Sequence, residues 1–308
     1  MTSKMRRAGS RPERLQAAVF SVLLLVASAL CLLPPGGRAR ARDDANRPAL
    51  LEVGGEAGAG KVPAAPAELK VVSYNIRYRG GDDLKQLIKL LKDDPEIGGA
   101  HVIGLQEVDR NKRRTDNVNT ARQLAEGLGM RYAWAAPPDD DDDGEEETGV
   151  ALLSTFPLTD VTRILLPNEG PGGRRRVAVG ATIQVGRTPV RVYSVHAETR
   201  MPLAKKVEQW QAVLDHLRLD REAAGAIVLG DFNTIKGKDV KAARRLFAQA
   251  GFTTPLPDND TTFKTFVVHL KLDWLWLRGL EASASGIDKD IDLSDHWPIW
   301  ARIRLAKN

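Results

Sequence analysis

Apolar residues in this chain cluster in short runs that are separated by polar or glycine-containing stretches. Runs of this length and composition predict buried β-strands. The predicted strands are Leu69–Ile76, Val102–Leu105, Gly149–Ser154, Leu158–Leu166, Val177–Val185, Pro189–His196, Ala226–Leu229, Thr261–Val267, Leu272–Leu277 and Pro298–Leu305.

Longer segments between these runs have their apolar residues at helical spacing. The segment Asp82–Lys92 places Leu84, Leu87 and Leu91 on one face, and Pro95 ends it. The predicted helices are Asp82–Lys92, Asn117–Gly129, Arg200–Glu222 and Lys238–Ala250. Many short strands with a few long helices between them predict two sheets covered by helices, built as one α/β unit.

The run Ile227–Leu229 shows how a predicted strand can deliver polar groups to a site. It continues through Gly230 into Asp231, Phe232 and Asn233. Alternate residues of an extended segment share a face, so Asp231 and Asn233 are predicted to point together into a site. A carboxylate at the end of a buried strand is unfavourable unless a metal, a histidine or several donors meet it. The sequence therefore predicts partner groups near Asp231 and Asn233.

The first 41 residues have the pattern of an export signal. A basic front is followed by an uncharged run, Ala17–Leu33, and then by prolines and glycines. Ala39–Ala41 fits a small-residue cleavage site, and the run is short for a membrane span. Residues 1–41 are therefore predicted to be a signal peptide or an uncleaved signal anchor. The expected location is exported, either secreted or periplasmic, or tethered to a membrane by this segment.

Residues 42–68 are rich in Ala, Gly and Pro and show no periodicity, which predicts a flexible linker. The predicted catalytic domain is 69–308. The chain has 308 residues with 43% apolar content, enough to build a core. Its net charge of +5 owes much to the first 42 residues, so it does not strongly indicate nucleic-acid binding. The single cysteine, Cys31, excludes a disulfide fold, a zinc–cysteine cluster and a cysteine nucleophile in the folded domain.

The run Asp139–Glu147 is acidic at every position except Gly144. Such runs repel themselves and stay solvated. A calcium site is the functional alternative, but the run lacks the spaced ligands of a calcium loop. The sequence favours a surface loop.

Several predicted strands have polar side chains at or near their ends. These residues are Asn75, Glu107, His196, Asp231, Asn233, Asp273, Asp295 and His296. Any one of them alone is typical of a turn or a helix cap. Together they predict a site at the strand ends, where α/β enzymes hold their ligands.

The residue types in this set indicate the kind of chemistry. Oxygen ligands without cysteine suit Mg²⁺, with Mn²⁺ or Ca²⁺ as alternatives. Glu107 is the strongest ligand candidate, because a charge directly after a buried strand must be compensated. His296 beside Asp295 suits acid–base work, and Asp273 could orient its ring.

The order of these motifs resembles the endonuclease/exonuclease/phosphatase family, the DNase-I-like hydrolases. The motifs are Ser73-Tyr74-Asn75-Ile76, Leu105-Gln106-Glu107-Val108, Val195-His196, Gly230-Asp231-Phe232-Asn233, Leu272-Asp273-Trp274-Leu275 and Ser294-Asp295-His296-Trp297-Pro298. The resemblance covers Leu69 to about Leu305. It implies an α/β fold in which two packed mixed sheets are flanked by helices in a four-layer αββα sandwich.

The resemblance also implies a role for each residue. Glu107 resembles the main metal ligand, with Asn75 and Asp295 nearby. His296 resembles the general base that activates water, oriented by Asp273.

The remaining matched positions concern the nucleophile and the phosphate. Asp231 and Asn233 resemble the pair that positions the nucleophile and stabilises the charged phosphorane. His196 resembles the donor to a phosphate oxygen. Attack on phosphorus needs a polarised oxygen, a deprotonated water and donors for the growing charge, so these roles are chemically consistent.

The function implied is that of an exported, divalent-metal-dependent phosphoesterase, usually with Mg²⁺. The substrate stays open among a nucleic acid, a phospholipid such as sphingomyelin, a phosphoinositide and a small phosphodiester. No protein partner is implied, and a monomer is expected. The alternative is a non-catalytic binding module that keeps the fold, but the sequence retains Glu107, Asp231, Asn233, Asp295 and His296, which disfavours it.

Two departures from the family pattern lie close to the predicted site. After His196 the chain continues Ala197-Glu198-Thr199-Arg200, where many relatives have Leu or Asn, so Glu198 and Arg200 are candidates for altering the substrate pocket. The basic runs 174–176 and 110–114 could meet phosphates, although exposed loop charge is the commoner role of such runs.

Overall fold

A computed structural model of the chain describes residues 49–55, 64–138, 147–219 and 223–304. The predicted export segment 1–41 and residues 139–146 of the acidic run lie outside these ranges. None of the helices within the described ranges is long and apolar enough to cross a membrane.

The described residues form fourteen strands and four α-helices. The strands are β1 (Leu51–Gly54), β2 (Glu68–Asn75), β3 (Val102–Arg110), β4 (Arg131–Ala135), β5 (Glu147–Ser154), β6 (Thr159–Leu165), β7 (Val177–Val185), β8 (Thr188–His196), β9 (Gly225–Asp231), β10 (Phe263–Lys264), β11 (His269–Leu270), β12 (Asp273–Arg278), β13 (Glu281–Ile287) and β14 (Ile299–Arg304). The helices are α1 (Gly81–Asp93), α2 (Thr120–Leu128), α3 (Leu203–Leu219) and α4 (Gly237–Gln249).

The strands assemble into two large mixed sheets. The first has seven strands in the order β1-β4-β5-β3-β2-β14-β13, and the second has five in the order β12-β9-β8-β7-β6. Each sheet contains one parallel pair, β2 with β3 and β8 with β9, and its other pairs are antiparallel. Strands β10 and β11 form a separate two-stranded ribbon.

Alternate residues of the central strands face two different cores. In β2, Val71 belongs to the core that also contains Leu229 of β9, whereas Val72 belongs to the core that contains Leu84 of α1. In the second sheet, Val228 packs in a third core with residues of α3 and α4. A strand buried on both faces must be apolar at nearly every position, which explains the continuous runs in the sequence. The predicted four-layer αββα sandwich of two mixed sheets is confirmed.

Local sequence accounts for the helix ends. The side chain of Asn119 accepts a hydrogen bond from the backbone N–H of Arg122 at 3.1 Å and so caps the start of α2. Gly129 ends the same helix in the left-handed conformation, with φ of 66°. The predicted helix Asn117–Gly129 therefore begins slightly later than the sequence pattern indicated.

Some strands differ from the predicted ones. β1 lies inside 42–68, so the prediction of a flexible linker is wrong for Leu51–Gly54, which pair with β4. The predicted strand Thr261–Val267 is reduced to β10, because the chain turns back at once to form β11. β4 and β13 were not predicted. β13, Glu281–Ile287, consists mostly of small residues at the edge of its sheet, and such a strand carries little hydrophobic signal.

Glu147 does not belong to the solvated acidic loop that the sequence had predicted. It begins β5, is 6% exposed, and forms two hydrogen bonds with the guanidinium group of Arg110 at 3.0 and 2.9 Å. Arg110 also contacts Glu52 of β1 at 3.3 Å. A buried guanidinium group compensates this carboxylate, so Glu147 does not share the solvated state predicted for the run.

Glu147→Ala is expected to lower the free energy of unfolding by about 3 kcal/mol, because it leaves Arg110 as a buried charge that has lost its main partner. Urea denaturation measures this change. Glu169→Ala is the control, since Glu169 pairs with Arg175 on the surface and should change stability by less than about 1 kcal/mol. Equal small effects in the two variants would contradict the structural role of Glu147.

Lys271, just before β12, is a buried amine whose Nζ has no hydrogen-bond partner among the described residues. Its Nζ lies 4.5 Å from the ring centroid of Trp274. Burial lowers the pKa of Lys271 from 10.5 to about 8, although neighbouring carboxylates, chiefly Asp260, oppose the shift. The charged form of this side chain is therefore destabilising in the folded protein.

Lys271→Met is expected to raise the free energy of unfolding by roughly 1–3 kcal/mol at pH 7, which is the scale of the pKa shift less the lost cation–π contact. The folded-state pKa of Lys271 lies below the unfolded value. The loss of folding stability caused by burying the charged amine is therefore complete below pH 8, and it decreases as the pH rises toward 10.5. Urea titrations at pH 7 and pH 10 should show a smaller gain at pH 10. Lys289→Met, at an exposed lysine near Trp297, should show no such gain. If Lys271→Met does not raise the free energy of unfolding at pH 7, the prediction is refuted.

Candidate active site

Three polar residues lie side by side where the second sheet ends. His196 closes β8 and is the parallel partner of Asp231 at the end of β9, which in turn pairs with Asp273 at the start of β12. Gly230 adopts φ of 136°, and a Cβ there would collide with the carbonyl oxygen of Val195. Glycine therefore lets the two strands approach closely at this edge of the sheet.

Glu107 reaches the same region from the first sheet because β3 is bulged there. The pairing of β3 with β5 shifts register between Gln106 and Val108, and Glu107 adopts φ of 56°. A bulge re-aims one side chain out of the regular alternation and is common beside active sites. The predicted strand Val102–Leu105 thus continues to Arg110, and Glu107 interrupts its pattern rather than following its end.

The two sheets are joined by hydrogen bonds behind the site. Gln106 Nε2 donates to Ser194 Oγ at 3.0 Å, and Ser194 Oγ lies 3.0 Å from the carbonyl oxygen of Leu105, to which it donates. Closer to the site, Asn75 Nδ2 donates to Asp231 Oδ2 at 3.2 Å. Gln106 and Ser194 were not predicted as contributors, because single polar residues within strands carry no distinguishing signal.

Asn75 bridges two carboxylates through its amide nitrogen. Nδ2 lies 3.3 Å from Glu107 Oε1 and 3.2 Å from Asp231 Oδ2, while Oδ1 accepts from the backbone N–H of Arg77 at 3.1 Å. In this structure Asn75 therefore presents a donor to the carboxylates. The sequence had predicted a metal ligand at this position, which would use the oxygen.

The second oxygen of Glu107 satisfies the main requirement for a cation ligand. Glu107 Oε2 is buried and has no hydrogen-bond partner among the described residues, and the same is true of Asp273 Oδ1. Buried carboxylate oxygens without donors are unfavourable unless positive charge meets them. The unpartnered atom of Glu107 is a carboxylate oxygen, the kind of ligand that a hard divalent cation such as Mg²⁺ prefers.

His296 and Asp273 form a hydrogen-bonded pair. His296 Nδ1 donates to Asp273 Oδ2 at 2.8 Å, and the opposite ring nitrogen, Nε2, lies 3.8 Å from Asp231 Oδ2. The hydroxyl of Thr262 accepts from the backbone N–H of Asp273 at 3.0 Å, and the Phe263 ring packs against the imidazole with centroids 5.0 Å apart. The structure therefore brings together His296 and the residue that was predicted to orient it.

The three groups Asp231, Asp273 and His296 offer atoms within 4.8 Å of one another. Because Asp273 and His296 already bond each other, we interpret this group as an acid–base cluster. Burial lowers the pKa of His296, but the charges of Asp273 and Asp231 outweigh it and raise the pKa to about 10. Burial also raises the pKa of Asp231 to about 7, although His296 opposes the shift.

The tautomer of His196 follows from its neighbours. Arg176 Nη1 lies 3.4 Å from His196 Nδ1, and a guanidinium group can only donate, so Nδ1 is an acceptor. Burial and then the charge of Arg176 hold the pKa of His196 well below its usual value. The neutral ring therefore carries its proton on Nε2, which faces Asp231 Oδ2 at 3.6 Å. His196 thus presents a donor to the site.

Asn233 lies in a left-handed turn after β9, with φ of 52°. Its backbone N–H donates to Asp231 Oδ1 at 2.9 Å, and its Nδ2 donates to the carbonyl oxygen of Ala197 at 2.8 Å. Lys206 of α3, which is 2% exposed, donates to the carbonyl oxygen of Asn233 at 2.7 Å. Three hydrogen bonds therefore hold this turn in place. Lys206 was not predicted to contribute, because a lysine within a predicted helix is usually a surface residue.

Asp295 is placed apart from the hydrogen-bonded cluster. Its Oδ2 lies 3.3 Å from Arg77 Nη1, and its Oδ1 accepts from Ser294 Oγ at 3.3 Å. Its role as a metal ligand stays a prediction. The basic residues Arg174 and Arg176 both bind Glu198, so they are not the free loop charge that such a run usually provides.

Comparisons with known proteins agree with this arrangement. The sequence profile described as "Endonuclease/Exonuclease/phosphatase family" matches residues 72–296. A solved structure of a protein of that family from Leptotrichia buccalis has 20% identity and a TM-score of 0.59, and the alignment covers 77% of this chain and 100% of that chain. The human Nocturnin catalytic domain with bound sulfate has 17% identity and a TM-score of 0.58, with 79% and 95% covered.

A third solved structure, ANGEL2, is described as a 2′,3′-cyclic phosphatase in complex with adenosine-2′,3′-vanadate. It has 15% identity and a TM-score of 0.57, with 78% of this chain and 96% of that chain covered. A comparison with curated protein sequences found no match. At these identities the solved structures support the fold alone.

Proposed function

The chain belongs to the endonuclease/exonuclease/phosphatase family, and from this premise we propose that it is a divalent-metal-dependent phosphoesterase that cleaves a phosphodiester. The observation that carries the proposal is the buried Glu107 Oε2 without a donor, in a site that also holds the Asp273–His296 pair. A structural carboxylate would have its donors, whereas a ligand position keeps an oxygen free.

We propose Glu107 as the main cation ligand, with Asn75 and Asp295 as neighbouring ligands on the basis of the family resemblance. When bound, a divalent cation would polarise a phosphoryl oxygen and offset the carboxylate charge that holds the pKa of His296 high. Mg²⁺ is the proposed ion, with Mn²⁺ and Ca²⁺ as alternatives, because the ligand atoms are oxygens.

The protein's own residues supply the proton transfer. His296 Nε2 is the atom that takes the proton from the attacking water, and Asp273 fixes the ring by accepting from Nδ1. Asp231 lies within 4 Å of both histidines through Oδ2, so it can orient the water between them. His196 donates from Nε2 to a phosphate oxygen as negative charge grows there.

We further propose that the protein is exported, on the basis of the N-terminal sequence pattern, and that it acts as a monomer. A non-catalytic binding module is disfavoured because the chain retains the hydrogen-bonded Asp273–His296 pair and the unpartnered oxygen of Glu107. These groups are costly to keep buried without a ligand or a reaction to serve.

A substrate panel tests the proposed function. The panel contains plasmid DNA, an RNA oligonucleotide, adenosine 2′,3′-cyclic phosphate, sphingomyelin, a phosphoinositide and bis-p-nitrophenyl phosphate, each with Mg²⁺, Mn²⁺, Ca²⁺ or EDTA. The cyclic nucleotide is included because one structural neighbour is described as a 2′,3′-cyclic phosphatase. We expect hydrolysis of at least one substrate with a divalent cation and none with EDTA. Activity that survives EDTA, or no activity on any substrate with any cation, would refute the proposal.

A further inference from the structure

A cleft of about 510 Å³ opens beside His196, and basic side chains form part of its lining. Lys112, Arg174, Arg175 and Arg176 contribute to its walls. None of the three arginines binds substrate in the proposed mechanism. The cleft therefore carries positive charge beside His196, and this charge has no role in the proposed mechanism.

Arg174 and Arg176 are held in place by one buried carboxylate. The side chain of Glu198 is 0% exposed and accepts from Arg174 Nε at 2.9 Å, from Arg174 Nη2 at 2.5 Å and from Arg176 Nε at 3.1 Å. The backbone N–H of Arg200 adds a fourth donor at 2.9 Å. Burial alone would raise the pKa of Glu198, but these donors lower it, so the carboxylate stays charged.

The surroundings of Glu198 fix the arrangement further. Its backbone N–H donates to Gln209 Oε1 of α3 at 2.8 Å, and a Cβ on Gly170 would collide with its carboxylate. A charged group at this depth is stable only when its partners are rigid. Glu198 therefore acts as an anchor that orders two arginine side chains on the wall of the cleft.

Each of these arginines has one terminal nitrogen that the described residues leave without a partner. Among the described residues, no group bonds Arg174 Nη1 or Arg176 Nη2, and the two side chains are 46% and 17% exposed. A single carboxylate between two guanidinium groups leaves the cluster positively charged. Arg175, by contrast, is neutralised by Glu169 through two hydrogen bonds.

We propose that Arg174 and Arg176, ordered by Glu198, form a subsite for a second phosphate of the substrate, one that is not cleaved. The inference rests on the proposed function, since the first phosphate is the one that reacts beside His196. Arg176 links the two places through His196, because its Nη1 contacts Nδ1 of the ring whose Nε2 faces the reacting site, while its Nε binds Glu198. Planar guanidinium groups held in fixed positions suit phosphate oxygens better than flexible lysines do.

Two sources could supply this second phosphate, the next phosphate of a nucleotide chain or a phosphate on a lipid headgroup. Matched substrates separate them. The nucleotide arm compares dithymidine phosphate with the same dinucleotide carrying a 5′- or a 3′-terminal phosphate. The headgroup arm compares glycerophosphoinositol with its 4-phosphate. In each arm the cleaved bond is the same and only the second phosphate differs.

The wild-type enzyme is expected to prefer the substrate with the extra phosphate by at least about tenfold in kcat/KM in one arm, the usual effect of one charge-assisted hydrogen bond. Arg174→Gln should abolish that preference. Arg218→Gln, which removes a guanidinium group from the exposed surface of α3, should keep it. A wild-type enzyme that shows no preference in either arm would overturn the inference while leaving the proposed function intact.

Phosphate binding provides a readout that does not depend on catalysis. In EDTA, the uncompensated carboxylates of the reacting site repel anions, so titration of the protein with inorganic phosphate by calorimetry reports on the arginine subsite. We expect saturable binding that Arg174→Gln weakens at least about tenfold and Arg218→Gln does not. Binding that is absent in the wild type, or unchanged in Arg174→Gln, would contradict the subsite even if hydrolysis fails altogether.

The fold of each variant is checked first by circular dichroism and melting temperature, because Arg174 compensates a buried carboxylate. Arg174→Lys is the second variant if Arg174→Gln does not fold. A lysine keeps positive charge beside Glu198 but lacks the fork that could hold Glu198 and phosphate together, so phosphate binding should again be weaker. Wild-type affinity in the folded Arg174→Lys variant would argue against a guanidinium subsite.

Discussion

Glu107→Gln is expected to reduce phosphoester hydrolysis by at least about 10³-fold without disturbing the fold, because a metal ion contributes several kcal/mol to such reactions. The amide keeps an oxygen that can accept from Asn75, as Glu107 Oε1 does at 3.3 Å. It removes the charge of the buried Oε2, which has no donor in the structure. The folded protein without cation should therefore be as stable as the wild type, or more so.

Two measurements on this variant separate metal binding from folding. Saturating Mg²⁺ should raise the melting temperature of the wild type, because a ligand that binds only the folded state stabilises it. That increase should disappear in Glu107→Gln together with activity. Glu281→Gln, an exposed position in β13, makes the same chemical change and should keep both. Turnover close to wild type in Glu107→Gln would refute the assignment of this residue as the main ligand.

His296→Ala is expected to lower kcat by at least about 10²-fold, the usual contribution of a general base. Asp273→Asn should have a similar effect, because its carboxylate holds His296 Nδ1 at 2.8 Å and so presents Nε2 to the water. The double variant should be no slower than the slower single variant, since residues that act as one unit have non-additive effects.

Stability should follow a different order from activity in the same set of variants. His296→Ala leaves Asp273 buried, 2% exposed, without its imidazole partner, so it should be the least stable of the three. Adding Asp273→Asn removes that unpaired charge and should restore part of the loss. A change confined to KM, namely a higher KM with kcat unchanged, would instead make His296 a residue that binds substrate.

The sequence predicted the sandwich because its central strands are buried on both faces. Ile227 and Leu229 face one core and Val228 faces another, so the run is apolar without interruption and easily recognised. The edge strand β13 and the short β1 bury less and share no such pattern. β1 pairs with β4, a strand distant in sequence, and local periodicity does not show such a pairing.

The residues of the candidate site could be predicted from the sequence, but the directions of their side chains could not. The residues at the strand ends were recognisable, because polar groups after apolar runs stand out and their order matches the family. The bulge that turns Glu107 and the amide orientation of Asn75 depend on backbone geometry and on Arg77, which the residue types do not specify. Glu198 as an anchor for Arg174 and Arg176 was equally hidden, since ion pairs between loops leave no periodic signal.

The position of β14 has a consequence for the newly made chain. β14 lies between β2 and β13 in the first sheet, although β2 is among the first strands to be synthesised and β14 is the last in the described ranges. Until β14 leaves the ribosome, one edge of β2 has no partner and exposes backbone groups that can pair with other chains. Asp295 and His296 directly precede β14, so a nascent chain that still exposes this edge also lacks its proposed base. Catalytic competence and protection from aggregation should therefore arise in the same late step of synthesis.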